Sequence, residues 1–237
     1  MAHQLEAPGD DYAPKWDSLY RARGDEVTRH RPVFTGDVYF DVQMAGEDKL
    51  KNVIVLQHPC AIRKDGVTLM PKLLVGEVLG DSPLLPSEWA GGFFKQLPLA
   101  ELQPTAKPRH GRAFFDKHHL VTPEELVNGR RVCCLSQTGL NLLMQRWVNH
   151  NTRVVIPTFE YQKMSAPQFE EADLVEDWCV DREDDGVSID DASQEIDEWL
   201  SRSNESVVSR RERLNEDQQR SQIRQELRAH LKAVRTA

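Results

Sequence analysis

Apolar positions alternate along residues 34–42, where Val38, Phe40 and Val42 share one face. A period of two predicts a half-buried strand, entered through Gly36-Asp37. The run Val53-Ile54-Val55-Leu56 has the β-branched content of a buried central strand. It is expected to stop at Gln57-His58-Pro59-Cys60, because Pro59 has no N–H to give a central ladder. One helical turn is expected over 61–65, and residues 73–79 predict a third strand. Residues 80–111 carry Pro83, Pro86, Pro98, Pro104 and Pro108 with Gly91-Gly92, and read as a long excursion with one short helix near 87–89. Residues 112–115 return to strand. Thr122-Pro123-Glu124-Glu125 combines an N-cap, a first-turn proline and acids suited to a helix start, and Asn128-Gly129 ends that helix. Residues 131–135 predict another strand. Ser136 then caps a helix with Leu140, Leu143, Met144 and Trp147 at helical spacing, broken at 149–151, and residues 152–157 predict a last strand.

The pattern changes beyond this point. Ser188 is placed to cap a helix carrying Ile189, Ala192, Ile196, Trp199 and Leu200. A charged helix follows, with Leu214 and a narrow apolar stripe of Ile223, Leu227, Leu231 and Val234. Such a stripe either packs on its own core or is offered to a partner protein. The expected organisation is an N-terminal arm (1–30), a core domain (31–169) containing the 80–111 excursion, an acidic linker (170–187) and a helical extension (188–237). The expected fold class is α+β: a small, mostly antiparallel SH3-like barrel with a C-terminal helical extension.

Charge sharpens the boundary. The 237 residues carry a net charge of -8, which argues against a generally basic coat for nucleic acid. By segment, residues 1–169 are net +1, residues 170–205 net -13 and residues 206–237 net +4. The acidity is one block, and such a block usually marks a solvated linker or tail. A sharper reading is a docking strip for a basic partner, or a mimic of nucleic-acid charge. No apolar run reaches the roughly 20 residues of a membrane span, so no membrane association is expected. Four cysteines, two of them adjacent, make no disulfide framework, and the expected compartment is the cytoplasm.

Three groups of residues invite chemistry. Gln57-His58-Pro59-Cys60-Ala61-Ile62-Arg63 closes the buried strand, and a thiolate at Cys60 activated by His58 competes there with an ordinary turn. His110, His118-His119 and Cys133-Cys134 suggest zinc, but no C-x-x-C or H-x₃₋₅-H spacing supports it, so no metal and no cofactor are expected. Basic and aromatic side chains, among them Arg112, Lys117, Arg131, Arg146, Trp147 and Arg153, would give phosphate contacts and a base-stacking platform if they shared a face. No P-loop, dinucleotide-binding glycine pattern, H-E-x-x-H or G-x-S-x-G occurs.

The segment 35–79 resembles the start of a MazF/PemK-like toxin barrel. Gly36-Asp37-Val38 opens the first strand, Val53-Ile54-Val55-Leu56-Gln57 is the buried one, and Gln57-His58-Pro59-Cys60-Ala61-Ile62 is similar to a polar turn of related barrels. Leu135-Ser136, leading into an amphipathic helix, is similar to the family's closing element. The resemblance covers residues 33–79 and 130–157. Where the family carries its catalytic arginine this chain has Lys51-Asn52, and where it carries a threonine or serine this chain has Val75-Gly76-Glu77. The resemblance therefore implies a non-catalytic or degenerate barrel that binds RNA, DNA or a protein, in a toxin–antitoxin or phage-defence setting. Arg112, Lys117, Arg131, Arg146 and Arg153 are its expected nucleic-acid contacts, and the C-terminal stripe its protein contact or route to an oligomer. The alternatives are an active metal-independent endoribonuclease using Lys51, His58 and Arg63, and a structural subunit of a larger, phage-derived or cellular assembly.

Overall fold

The computed structural model describes residues 4–10, 13–80, 82–89, 94–105, 107, 109–203 and 208–236. The chain divides into two compact units, Met1–Val27 with Phe34–Met164, and Thr28–Val33 with Ser165–Ala237.

The first unit is a nearly closed, seven-stranded antiparallel barrel. A two-residue pair, β1 (Gly9–Asp10) and β2 (Ala13–Pro14), precedes it. The barrel strands are β3 (Tyr20–Arg23), β4 (Val38–Val42), β5 (Lys51–Val55), β6 (Leu73–Leu79), β7 (Gln96–Gln103), β8 (Arg109–Val121) and β9 (Arg130–Leu135), in the order β3-β9-β4-β5-β6-β8-β7. Val53, Ile54, Val55, Leu73 and Val75 are fully buried, as the β-branched run predicts. The two end strands are tied by side chains. The Tyr20 hydroxyl on β3 donates to the Ala100 carbonyl of β7 at 2.5 Å, and the Arg23 guanidinium donates to the Glu101 carbonyl at 3.1 Å.

Bulges bend the strands. Asp41 on β4 and Glu101 on β7 both sit at positive φ where the register shifts. Each backbone N–H there leaves the ladder and donates instead to a side chain, Asn52 Oδ1 for Asp41 and His110 Nδ1 for Glu101. A larger irregularity lies between β6 and β8. Gly76 pairs with His118, but Glu77 pairs with Phe114, so Phe115, Asp116 and Lys117 bulge out of β8.

Helix α1 (Pro123–Asn128) starts at a full capping box built by Thr122 and Glu125. Helix α2 (Gln137–Thr152) is capped by Ser136 and ends with Arg153 in the left-handed conformation. Helix α3 (Thr158–Asp184) begins in this unit, where the Glu6 carboxylate accepts from the Thr158 N–H at 2.9 Å and from its hydroxyl.

Several expectations are corrected here. The 1–30 arm contributes a barrel strand, β3. The 80–111 excursion contains β7, which lies at the end of the sheet order, where Pro98 is tolerated. Gly91-Gly92 and Pro108 lie outside the described residues. The strand expected over 112–115 runs over Arg109–Val121, and the turn at 61–65 is instead a 3₁₀ turn at Pro59–Ala61. No strand forms over 152–157, because α2 continues to Thr152.

The second unit is helical: most of α3, α4 (Ile189–Ser201), the short α5 (Arg210–Arg213) and α6 (Asp217–Thr236). The acidic linker expected at 170–187 is therefore largely helix. Leu174, Trp178 and Cys179 of α3 pack with Ala192, Ile196, Trp199 and Leu200 of α4 and with Leu214. Ile223, Leu227 and Leu231 enter the same core, so the stripe expected to meet a partner is covered by its own unit, and Val234 stays at the rim. The acids of α3 and α4 meet arginines from distant sequence. Glu171 and Asp197 share Arg211, Glu170 holds Arg224, Asp173 and Glu176 hold Arg31, and Asp181 holds Arg235. We expect Leu227→Ala to destabilise this unit by about 2–3 kcal/mol while leaving the mass in solution unchanged. Thermal denaturation with light scattering checks both, and a changed mass at unchanged stability would restore the partner reading. Among the described residues, no helix is long and apolar enough to cross a membrane.

Candidate functional site

A polar cluster stands where β5, β6 and β8 run side by side. Residues 51 and 53 share a face of β5, Val53 pairs with Glu77, and Val75 pairs with His119. Strand periodicity thus puts Lys51, Glu77 and His119 on one face. Lys51 Nζ and His119 Nε2 both lie 2.8 Å from the same oxygen, Glu77 Oε1. Glu77 is 8% exposed. The side chains of Lys51 and His119 are about a quarter open to solvent. Burial pushes the Glu77 carboxyl up, but the hydrogen bonds from Lys51 and His119 outweigh it and hold the group below the usual carboxylate range. The same hydrogen bond to Glu77 raises the Lys51 ammonium. At neutral pH Glu77 is ionised and can only accept, so His119 carries its proton on Nε2. In the neutral ring Nδ1 is then left with a lone pair. This gives a held base beside a fixed cation.

The β8 bulge borders the cluster. Phe114 is the register partner of Glu77, and Lys117 Nζ stands 5.3 Å from the Phe114 ring centre. Gly76 makes the approach possible: a Cβ there would meet the Phe114 carbonyl oxygen at 2.9 Å and Leu56 Cδ1 at 3.0 Å.

The residues chosen from sequence are dispersed. Lys51 belongs to the cluster. His58 caps the 3₁₀ turn, its Nδ1 accepting from the Cys60 N–H at 3.2 Å, and burial lowers its pKa. Burial raises the Cys60 thiol, the opposite of an activated thiolate. Arg63 bridges Leu69 through its backbone. Among the nucleic-acid candidates, Lys117 and Arg153 are exposed. Arg112 forms a two-pronged ion pair with Glu88, at 2.6 and 2.7 Å, and also donates to the Ser82 and Pro83 carbonyls. It staples the 82–89 segment. Arg131 pairs with buried Asp37 at 3.0 Å. Arg146 is fully buried, 4.5 Å from the Trp89 ring centre and donating to the Trp89 carbonyl at 2.8 Å. Burial lowers its pKa to about 10. These three arginines hold the fold and do not form a common surface.

In the sequence His119 enters only as part of a zinc reading that its spacing does not support, and Glu77 only as a departure from the family's threonine or serine; neither is expected beside Lys51. The available signal was the alternation along β5 and β6, which aligns Lys51 with Glu77 once Val53 and Val75 are taken as inward. The bulge hid His119 inside a polar run. No protein-family model matches the chain, and the comparison with curated proteins found no match.

Proposed function

We propose that the barrel unit is a nucleic-acid-binding module of the MazF/PemK-like kind. The observation that carries this reading is Lys51 and His119 held on Glu77, whose register partner Phe114 has Lys117 over its ring, a set that combines cations for phosphate with an aromatic ring. The sequence resemblance over 33–79 and 130–157 supports the same reading, and a toxin–antitoxin or phage-defence setting rests on that resemblance alone. The test is binding of the full chain to labelled single strands across a sodium chloride series. Affinity is expected to fall with salt, and Lys51→Ala with Lys117→Ala to flatten the log–log slope by about 0.7 for each phosphate no longer neutralised. Affinity that ignores salt would remove this reading.

A second reading is an endoribonuclease, favoured by the held tautomer of His119. Its Nδ1 lone pair is suited to take a proton from a 2′-hydroxyl, and Lys51 is suited to steady the phosphate charge. Under this reading His119→Ala lowers cleavage of labelled RNA by about 10²–10⁴-fold, whereas His58→Ala leaves it unchanged. The reverse pattern would return the chemistry to His58.

A further inference from the structure

A second patch of rings and cations forms where the end of α2 meets the β8 bulge. Trp147 and His150 stack with ring planes 16° apart and centres 6.1 Å apart. Phe115 supports both from beneath, at 5.5 Å from Trp147 and 5.8 Å from His150, and is itself fully buried. The Arg153 guanidinium lies 4.1 Å from the Phe94 ring centre and donates to the His150 carbonyl at 2.7 Å. The Phe115 N–H donates to the Lys95 carbonyl at 2.9 Å. These interactions close a ring of residues, Phe94-Lys95-Phe115-Trp147-His150-Arg153, without a gap. Trp147, His150 and Phe94 are half-buried, so ring surface remains open, while Lys95 and Arg153 are exposed.

We propose that this patch is a stacking platform for unpaired bases, so that the ligand of the barrel is single-stranded nucleic acid. The proposal rests on the nucleic-acid reading above and names its ligand class. The parallel step of Trp147 and His150 offers a flat surface on a rigid helix. Every base has a π-face, so such a surface takes any base, but only one not enclosed in a duplex. Lys95 and Arg153 supply the cations that a phosphate backbone needs beside the rings. Asp116 is the acid that acts on His150 electrostatically from the bulge. Two cations against one carboxylate leave the rim positive.

The test uses the full chain with labelled oligouridylate, oligothymidylate and a blunt RNA duplex of the same length, read by fluorescence anisotropy. Both single strands are expected to bind more tightly than the duplex. Phe94→Ala and Trp147→Leu should each weaken the single strands about 5- to 100-fold and leave the duplex within about twofold. Arg153→Asn removes the cation while tolerating the left-handed backbone, and should weaken all three ligands. Single strands should quench the indole fluorescence of the unmodified chain, and Trp147→Leu should abolish most of that quenching. Circular dichroism checks that each variant folds, and Phe94→Ala carries the test if Trp147→Leu does not. Salt-dependent binding that ignores strandedness and all three substitutions would overturn the platform and leave the nucleic-acid reading standing. Binding of only one sugar type would assign recognition to the sugar and overturn stacking as its source. Absence of salt-dependent binding to any ligand would remove both.

Discussion

Gly139→Ala is expected to lower the stability of the barrel unit by on the order of 3 kcal/mol and its melting temperature by about 6–12 °C. Gly139 lies in the first turn of α2, and a Cβ built on it would stand 2.2 Å from the Leu19 carbonyl oxygen. That oxygen cannot swing aside, because it accepts the Ser136 N–H at 2.9 Å. The Ser136 hydroxyl in turn donates to the Ser18 carbonyl and accepts the Gly139 N–H. The helix N-cap and the 3₁₀ turn Trp16–Leu19 are thus one hydrogen-bonded knot, and an added methyl must push a backbone segment away from it. Thr138→Ala is the control, because this neighbouring helical position is exposed to solvent. Thermal denaturation should separate the two variants clearly. Equal melting temperatures would mean that the 16–19 turn yields without cost.

The parts of the fold that were legible from sequence are those decided by near neighbours. The buried run at 53–56, the strand over Leu73–Leu79, and the N-caps at Thr122, Ser136 and Ser188 appear as read. What was missed depends on residues far apart in sequence. The strand read over 112–115 stops short of the polar stretch Asp116-Lys117-His118-His119, which belongs to β8 because β6 pairs on both sides of the bulge. The acidic run after residue 169 reads as a solvated linker, and it folds because arginines from 31 to 235 answer its carboxylates. Burial of Leu174 and Trp178 on the same helix removes the choice between tail and domain. A count of net charge does not distinguish repelling acids from paired ones.

The candidate site shows the same division. Lys51 stands out in the sequence only through the resemblance, which puts a catalytic arginine at 51–52, and Glu77 only as part of the Val75-Gly76-Glu77 stretch that replaces a threonine or serine; that Glu77 holds Lys51 follows from strand pairing. The arginines chosen for phosphate went mostly into the fold. Charge on a sequence marks what a residue could hold, and the nearest buried carboxylate or carbonyl takes it first.

Arg131 gives the sharpest test of that point. Asp37→Ala is expected to destabilise the barrel by about 3–5 kcal/mol, because it leaves a cation inside the sheet without its counter-charge. The Asp37 side chain is 2% exposed and that of Arg131 11%. Asp37 Oδ2 accepts from the Arg131 guanidinium at 3.0 Å and from the Phe34 N–H at 2.9 Å. The pair ties the residue that enters β4 to β9, whose Arg131 is the register partner of Tyr39. Most of the destabilisation should come from the stranded charge and not from the attraction forfeited, because desolvating two charges roughly offsets their mutual gain. The double substitution Asp37→Asn with Arg131→Met is therefore expected to recover to within about 1 kcal/mol of the original stability. Asp37→Asn retains an oxygen for the Phe34 N–H, and Arg131→Met fills the space with an uncharged chain. Urea denaturation of the three proteins measures the coupling. If Arg131 were a phosphate ligand instead, Arg131→Met alone would flatten the salt dependence of nucleic-acid binding at unchanged stability. A structural Arg131 predicts the reverse, reduced stability with an unchanged salt slope in the fraction that folds.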